Sequence, residues 1–473
     1  MNVDEQPIPG TETILDTLRA ATRGTEYDGR LFLVGGFVRD KAMGLPSAKD
    51  DIDIVLEGDA LALAHFLRRQ GAADHAPVVY PRFGTALVKV KGRDVELVTA
   101  RVESYAADSR KPDVEPGTLQ DDAKRRDFTI NTLLENLHTG AITDPLGLAY
   151  ADLEAKIIRT PTDPLLTFQD DGLRMLRAVR FAARFGFAIH PITWKAMRQR
   201  ATRLDDIAPD GTRVISYERI RDEFCKTLMT ARAPLGLELL KDSGLLAQFA
   251  PELLEMVGVT QNEFHAYPVW DHTLIALGSL PPSAVLTLRL ATLFHDVGKP
   301  RTKGVGEDGR VHFYGHQDVG AQIVRRWMNR LKFPNDEIAA VTTLVAQHMR
   351  IGEYHDGWTD AAVRRLMRDL GPHLDDLFEI HRVDVSALAP GHTDISRTGE
   401  LRARMRPIQE AQDISALTSP LDGKELMALL PLPPGRRLGE VKEYLTGEVV
   451  EGRLLPDDKE GAERLARRFL EGK

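Results

Sequence analysis

The chain has 473 residues, too many for one hydrophobic core, with 42% hydrophobic and 28% charged residues, the composition of a globular protein of several domains. A single cysteine, Cys225, excludes an internal disulfide and a thiolate metal cluster and is expected as a small buried residue on a helix. The acidic N-terminus MNVDEQPIPGTETILDTL has no apolar leader segment, and no apolar run reaches the about eighteen residues of a membrane span, so a cytoplasmic protein without a membrane partner is expected. The net charge of −8 leaves any nucleic-acid contact to local patches.

Residues 31–34 form an apolar run of β propensity that ends in Gly35-Gly36, and FVRDKAMGL beyond it reads as a short helix. A backbone without Cβ atoms at such a turn can approach a phosphate and donate N–H groups to it. The alternation Asp51-Ile52-Asp53-Ile54-Val55 sends both carboxylates to one face of a strand and the isoleucines to the other. Like charges side by side call for a cation, and hard oxygen ligands with a phosphate substrate favour Mg²⁺. Residues 59–70 read as a helix, and 85–90 and 95–99 as strands around a Lys91-Gly92-Arg93 turn, with Glu96 able to face Asp51 and Asp53.

Residues 101–120 are polar, hold two prolines and read as a mobile loop. A helix over 121–136 follows. It carries RRDFTIN, in which Arg125 and Arg126 suit triphosphate oxygens, while Asp127 and Asn131, four apart, suit ribose hydroxyls. Beyond Pro161 and Pro164 a single helix is expected over 168–185. Asp171 and Arg174 share one face with Arg177 a turn along, and a carboxylate beside a guanidinium can match the edge of a base. Arg180, Arg184, Arg198, Arg200 and Arg203 complete the most basic tract, suited to phosphate contacts without sequence readout. SYERIRDEFCKTL, opening at Ser216, is read as an architectural helix.

A third constellation comprises His272, His295-Asp296 in LFHDVGKP, His316, His348 and Asp384. Adjacent His and Asp at a helix end can reach one metal with ligands from distant helices. The tail after Ser419 reads as helices separated by PLPPGRRLGE.

The string G-G-x-V-R-D followed by D-x-D, with RRDFTIN and the D-D-x-x-R at 170–174, resembles the family of tRNA CCA-adding enzymes and bacterial poly(A) polymerases, whose heads are polymerase-β-like. H…HD…D resembles the HD phosphohydrolases. The resemblance implies an α+β multidomain chain: a nucleotidyltransferase head at 1–150 with a small mixed sheet, a helical nucleotide-selecting neck and body at 151–255, an HD domain at 256–400 and a helical tail at 401–473. It implies addition of C and/or A to the tRNA 3′ end from CTP and/or ATP without a nucleic-acid template. Asp51, Asp53 and Glu96 would be catalytic, the first two as Mg²⁺ ligands, and Gly35, Gly36, Arg39 and Arg126 would hold the triphosphate. Asp127 and Asn131 would hold the ribose, Asp171 and Arg174 would select the base, and Arg177 would lie beside them. The family's template motif starts with Glu where this chain has Asp170, and its loop matching 101–120 is implicated in the switch from C to A addition. His272, His295, Asp296 and Asp384 would hold a divalent metal for phosphohydrolase chemistry, and the acceptor stem and elbow of tRNA would be the partners. A poly(A) polymerase, and an RNA 3′-end phosphohydrolase working mainly through its HD domain, are the alternatives; oligomeric state is open.

Overall fold

A computed structural model describes residues 10–46, 52–104, 113–411, 418–430 and 432–471. They fall into two compact units, divided between Pro251 and Glu252.

The first unit is built on a seven-stranded mixed sheet. Its strands are β1 (Phe32–Val34), β2 (Ile52–Leu56), β3 (Val78–Tyr80), β4 (Thr85–Val90), β5 (Arg93–Thr99), β8 (Leu134–Asn136) and β9 (Ile142–Thr143), in the order β3-β4-β5-β2-β1-β8-β9. Among the described residues of this sheet, only β2 and β5 pair in parallel. One face carries the core: Ile52, Ile54, Val88 and Leu97 pack with Leu15 and Leu18 of α1 (Thr11–Thr22) and Leu63 and Leu67 of α3 (Ala60–Arg69). Each such side chain contributes about 1.5–3 kcal/mol through burial. The period-two alternation of β2 therefore has a physical consequence: with its isoleucines anchored in the core, Asp53 must face the other way.

Four local expectations are corrected. Residues 101–120 are not all loop, because β6 (Arg101–Ser104) and β7 (Asp113–Pro116) pair as an antiparallel ribbon; 105–112 lie outside the described residues. The helix expected over 121–136 is only α4 (Leu119–Lys124), capped by Thr118 and Asp121. Phe128 is buried and extended, and the chain is then drawn into β8, whose hydrogen bonds to β1 outweigh helix continuation. The helix expected over 168–185 is two, α6 (Pro164–Asp170) and α7 (Leu173–Phe185), broken where Asp171 is extended. Asp171 Oδ1 accepts from Leu173 N at 3.0 Å and so caps α7. A Cβ on Gly172 would stand 2.8 Å from Arg203 Cγ, so the break packs too tightly for a side chain. Cys225, on the helix Tyr217–Leu228, is half-buried rather than buried.

The second unit is helical. Its core joins Phe294, Trp327 and Phe333 in a run of aromatic contacts. The helices Gly423–Leu429, Arg436–Val450 and Lys459–Glu471 close a smaller core of Leu426, Val441, Leu445 and Ala462.

Candidate functional site

In the first unit the glycine turn, the acidic strand and the arginines converge on one cavity of about 710 Å³. Gly35 has φ +76°, a conformation in which a side chain is strained. A Cβ there would lie 3.6 Å from Asp53 Oδ2 and 3.8 Å from Arg126 Nη1, so both groups close over the bare backbone. Asp53 pairs in register with Glu96 across parallel β2 and β5, which puts the two carboxylates side by side on the sheet face away from the core. Asp51 lies outside the described residues.

Arg126 is aimed by a buried acid that the sequence reading did not single out. Asp122 Oδ2 accepts from Arg126 Nε at 3.1 Å and Nη2 at 2.8 Å, and its Oδ1 accepts from Arg125 Nε at 2.9 Å. Burial opposes ionisation of Asp122, but the two guanidinium groups prevail and hold its pKa below the ordinary value. Arg39 lines the cavity yet is only 3% exposed. Its guanidinium binds Asp40 Oδ1 and Asn131 Oδ1 and lies over the rings of Phe181 and Phe185 at 5.1 and 4.8 Å. That makes it a strut behind the cavity, where the sequence suggested an open triphosphate contact.

Asp127 and Asn131 come together despite the missing helix: Asn131 Nδ2 donates to Asp127 Oδ1 at 2.9 Å. Arg177 Nε donates to Asp127 Oδ2 at 2.8 Å. Burial raises the Asp127 pKa, but Arg177 and Asn131 overcome it and bring it to about 2. Arg180 and Arg184 of the basic tract also line the cavity, anchored to Glu223 at 2.6 Å and Asp40 at 3.0 Å. Asp171 and Arg174 do not line it and do not pair with each other as the expected helix required. Asp171 Oδ2 accepts from Arg219 Nη2 at 2.9 Å, and Arg174 Nη2 donates to the Arg125 carbonyl at 2.7 Å, one residue before Arg126.

The second unit holds a separate cluster. His272 is on the helix Val269–Gly278, His295 ends Leu286–Phe294, His316 opens His316–Arg330, His348 follows Asn335–Gln347, and Asp384 is on Leu374–Ser386. His272 Nε2 is 2.8 Å from Asp384 Oδ1, and His295 Nε2 is 3.2 Å from Asp296 Oδ2. His295 Nε2 and Asp296 Oδ2 are buried without a hydrogen bond, although Lys299 Nζ lies 2.7 Å from that oxygen. Imidazole nitrogens and carboxylate oxygens gathered this closely in a buried site, with His295 Nε2 facing both Asp296 and Asp384, suit a divalent cation, so this donor set fits a metal. Burial drives the His348 pKa down to about 3. Gly298, in the HDVG string, lets the backbone close around the cluster: a Cβ there would be 2.1 Å from the His316 carbonyl oxygen. The cavity over the cluster measures about 750 Å³.

A mixed sheet with acidic residues beside a glycine turn and an arginine-lined cavity, followed by a helical unit with a His/Asp cluster, defines a nucleotidyltransferase joined to an HD domain. Comparison with known proteins agrees. Residues 31–159 match the "Poly A polymerase head domain", 186–256 the "Probable RNA and SrmB- binding site of polymerase A" and 263–415 the "HD domain". An A-adding tRNA nucleotidyltransferase of Deinococcus radiodurans is 37% identical over 70% of this chain and 75% of its own length. A CC-adding tRNA nucleotidyltransferase of Thermus thermophilus is 35% identical over 93% and 92%. The crystal structure of the Bacillus stearothermophilus CCA-adding enzyme in complex with CTP superposes with a TM-score of 0.62 at 24% identity, covering 97% of this chain and 96% of that one, and so shares the fold. The chain belongs to the tRNA nucleotidyltransferase and poly(A) polymerase family. It is a metal-dependent nucleotidyltransferase with an HD domain. Among the described residues no helix is long and apolar enough to cross a membrane.

Proposed function

We propose that this chain adds C and/or A to the 3′ end of tRNA from CTP and/or ATP, with the domain limits given above and a cytoplasmic site of action. The observation that carries the reading is the approach of Asp53 and Arg126 over Gly35, with Glu96 in register beside Asp53. The oxygen donors Asp51 and Asp53 are the ligands for Mg²⁺, with Glu96 close by. When bound, Mg²⁺ supplies activation of the tRNA 3′-hydroxyl and charge neutralisation on the triphosphate. The protein's own groups do the rest. The Gly35-Gly36 backbone and Arg126, aimed by Asp122, receive the triphosphate, with Arg39 holding the wall behind them. Asp127 and Asn131 receive the ribose, with Arg177 fixing Asp127. Arg174, tied to the Arg125 carbonyl, selects the base together with Asp171. The basic tract takes the acceptor stem, and Arg436-Arg437, at the start of the helix Arg436–Val450, take the elbow.

The HD cluster, with His272, His295, Asp296 and Asp384 around a divalent metal, is a phosphohydrolase site. The orphaned His295 Nε2 supports this reading.

The test uses purified protein with Mg²⁺ and tRNA transcripts ending before CCA, after C and after CC, each given CTP, ATP or both, with the products sequenced. Addition of A to the CC-ended transcript and of C to the shorter ones defines a full CCA-adding enzyme. Arrest after CC, or extension of the CC-ended transcript alone, defines a specialist. Long A tails on any RNA would defeat the proposal in favour of a poly(A) polymerase.

A further inference from the structure

A broken helix leaves a backbone donor and a backbone acceptor without each other, and at the break between α6 and α7 both are answered by side chains. In a continuous helix Leu173 N would donate to the Gln169 carbonyl, four residues earlier. Here Leu173 N donates to Asp171 Oδ1 at 3.0 Å, while the Gln169 carbonyl accepts from Arg203 Nη2 at 2.7 Å and Nε at 3.1 Å. Asp171 and Arg203 thus take the two halves of one missing hydrogen bond.

By sequence Arg203 falls in the basic tract suited to phosphates, but the folded chain takes it out of that role. The residue is 8% exposed, and its third nitrogen, Nη1, holds Asp206 Oδ2 at 2.5 Å. All three guanidinium nitrogens therefore face protein acceptors. The stem is committed as well: a Cβ on Gly172 would stand 2.8 Å from Arg203 Cγ and 3.3 Å from Arg203 Cβ, so this side chain fills the space that the bare backbone leaves at the break. A cation on a carbonyl in the last turn of α6 is also favoured by the helix dipole.

We infer that Arg203 is a positioning residue for nucleotide selection: by occupying the Gln169 carbonyl it keeps α6 and α7 from joining, and so holds Asp171 where its carboxylate is presented. The residue pattern on both sides favours one helix over 168–185, so the break needs a partner for each freed group. Without the guanidinium, the Gln169 carbonyl regains Leu173 N, Asp171 Oδ1 is released, and Asp171 moves from φ −144° toward helical values. Arg174 follows, because its N donates to the Asp171 carbonyl at 3.1 Å. Arg203 acts in this way on the pair proposed above to select the base, and its role rests on that reading.

The test uses the full chain with Arg203→Met, which keeps the stem against Gly172 and loses the fork, Arg203→Lys, which keeps one donor, and Asp171→Asn, each checked for fold by circular dichroism. The readout is the ratio of kcat/KM for CTP to that for ATP on the tRNA transcript that the unmodified chain extends fastest. Arg203→Met should move the ratio toward unity by about tenfold, the scale of one hydrogen bond, and Arg203→Lys by less. Leu240→Ala, at a buried position away from the break, controls for lost stability: its Tm should fall and its ratio stay. The slope of log Kd for tRNA against log salt should be unchanged in Arg203→Met. A slope smaller by about one would make Arg203 a phosphate contact and overturn the inference. A shifted ratio with Asp171→Asn but not with Arg203→Met would overturn it and leave the base-selecting pair standing, whereas no shift with either would overturn both. A shift with Arg203→Met alone, or an equal one with Leu240→Ala, would show that Arg203 does not act through Asp171 and would overturn the inference likewise.

Discussion

Arg177 grips Asp127 twice, from Nε at 2.8 Å and from Nη2 at 2.6 Å, and so ties α7 to the RRDFTIN segment of the head. The contact depresses the Asp127 pKa from 3.8 to about 2. A depressed carboxylate contributes stability that is present above its unfolded pKa and lost as pH falls through the folded one, here between about pH 4 and pH 2. The contribution is at most about 2 kcal/mol, since the Arg177 side chain is 35% exposed and partly screened. Arg177→Met should lower stability at pH 7 by about that amount and move the onset of acid unfolding toward pH 4, as followed by circular dichroism. An unchanged acid limb would show that the pair contributes nothing.

Separate chemistry in the two units predicts separable losses. Asp53→Ala should reduce nucleotide addition by at least about 10³-fold, the scale of a lost metal ligand in phosphoryl transfer, while leaving phosphate-ester hydrolysis intact. His295→Ala should do the reverse. Loss of both activities with either change would refute independent sites.

Gly298→Ala places a methyl group 2.1 Å from the His316 carbonyl and 2.7 Å from Gly320 N, both backbone atoms that cannot step aside cheaply. We expect destabilisation of the helical unit by about 3 kcal/mol or more, by analogy with severe overpacking. Calorimetry of the full chain should show the second unit's transition fall with the first unit's unmoved.

Removing metal should loosen the second unit, because the buried donors of His272, His295 and Asp296, together with Asp384, would lose the cation they converge on. Chelation followed by Mn²⁺ at 100 times its Kd should restore about 2.7 kcal/mol per tightly bound ion, seen as a higher Tm. No shift with Mn²⁺ would contradict a metal at this cluster.

Arg39→Lys keeps the charge but loses the planar fork shared by Asp40 and Asn131 and the stack on Phe181 and Phe185. A Tm drop corresponding to about 1–2 kcal/mol is expected, with kcat falling more than the KM for nucleotide rises, as befits a strut. A pure KM effect would instead make Arg39 a direct triphosphate ligand.

Much of this was legible in the chain, and the misses have specific causes. The facing of Asp53 followed from alternation with core isoleucines, and Glu96 joined it because β5 has the same period. That β5 would lie next to β2 was not readable, since strand order depends on long-range pairing. Asp127 and Asn131 were expected together on a helix, yet meet across a buried extended Phe128, where sheet pairing overrode local spacing. The break at Asp171-Gly172 had a local signal, a capping residue followed by glycine, hidden by the helical pattern on both sides. Asp122 also left a trace, lying three and four residues before two arginines, but only burial distinguishes a residue that aims them from a surface salt bridge.

The cap at Asp171 limits how any base can be recognised there. One carboxylate oxygen is spent starting α7 and the other is held by Arg219. An incoming base that bonds to Asp171 would share one of these oxygens with Leu173 N or with Arg219, since each oxygen can accept a second hydrogen bond. If Asp171 reads the base as proposed, Arg219 sets the orientation of the carboxylate that the base meets, so a change at Arg219 would retune which nucleotide wins.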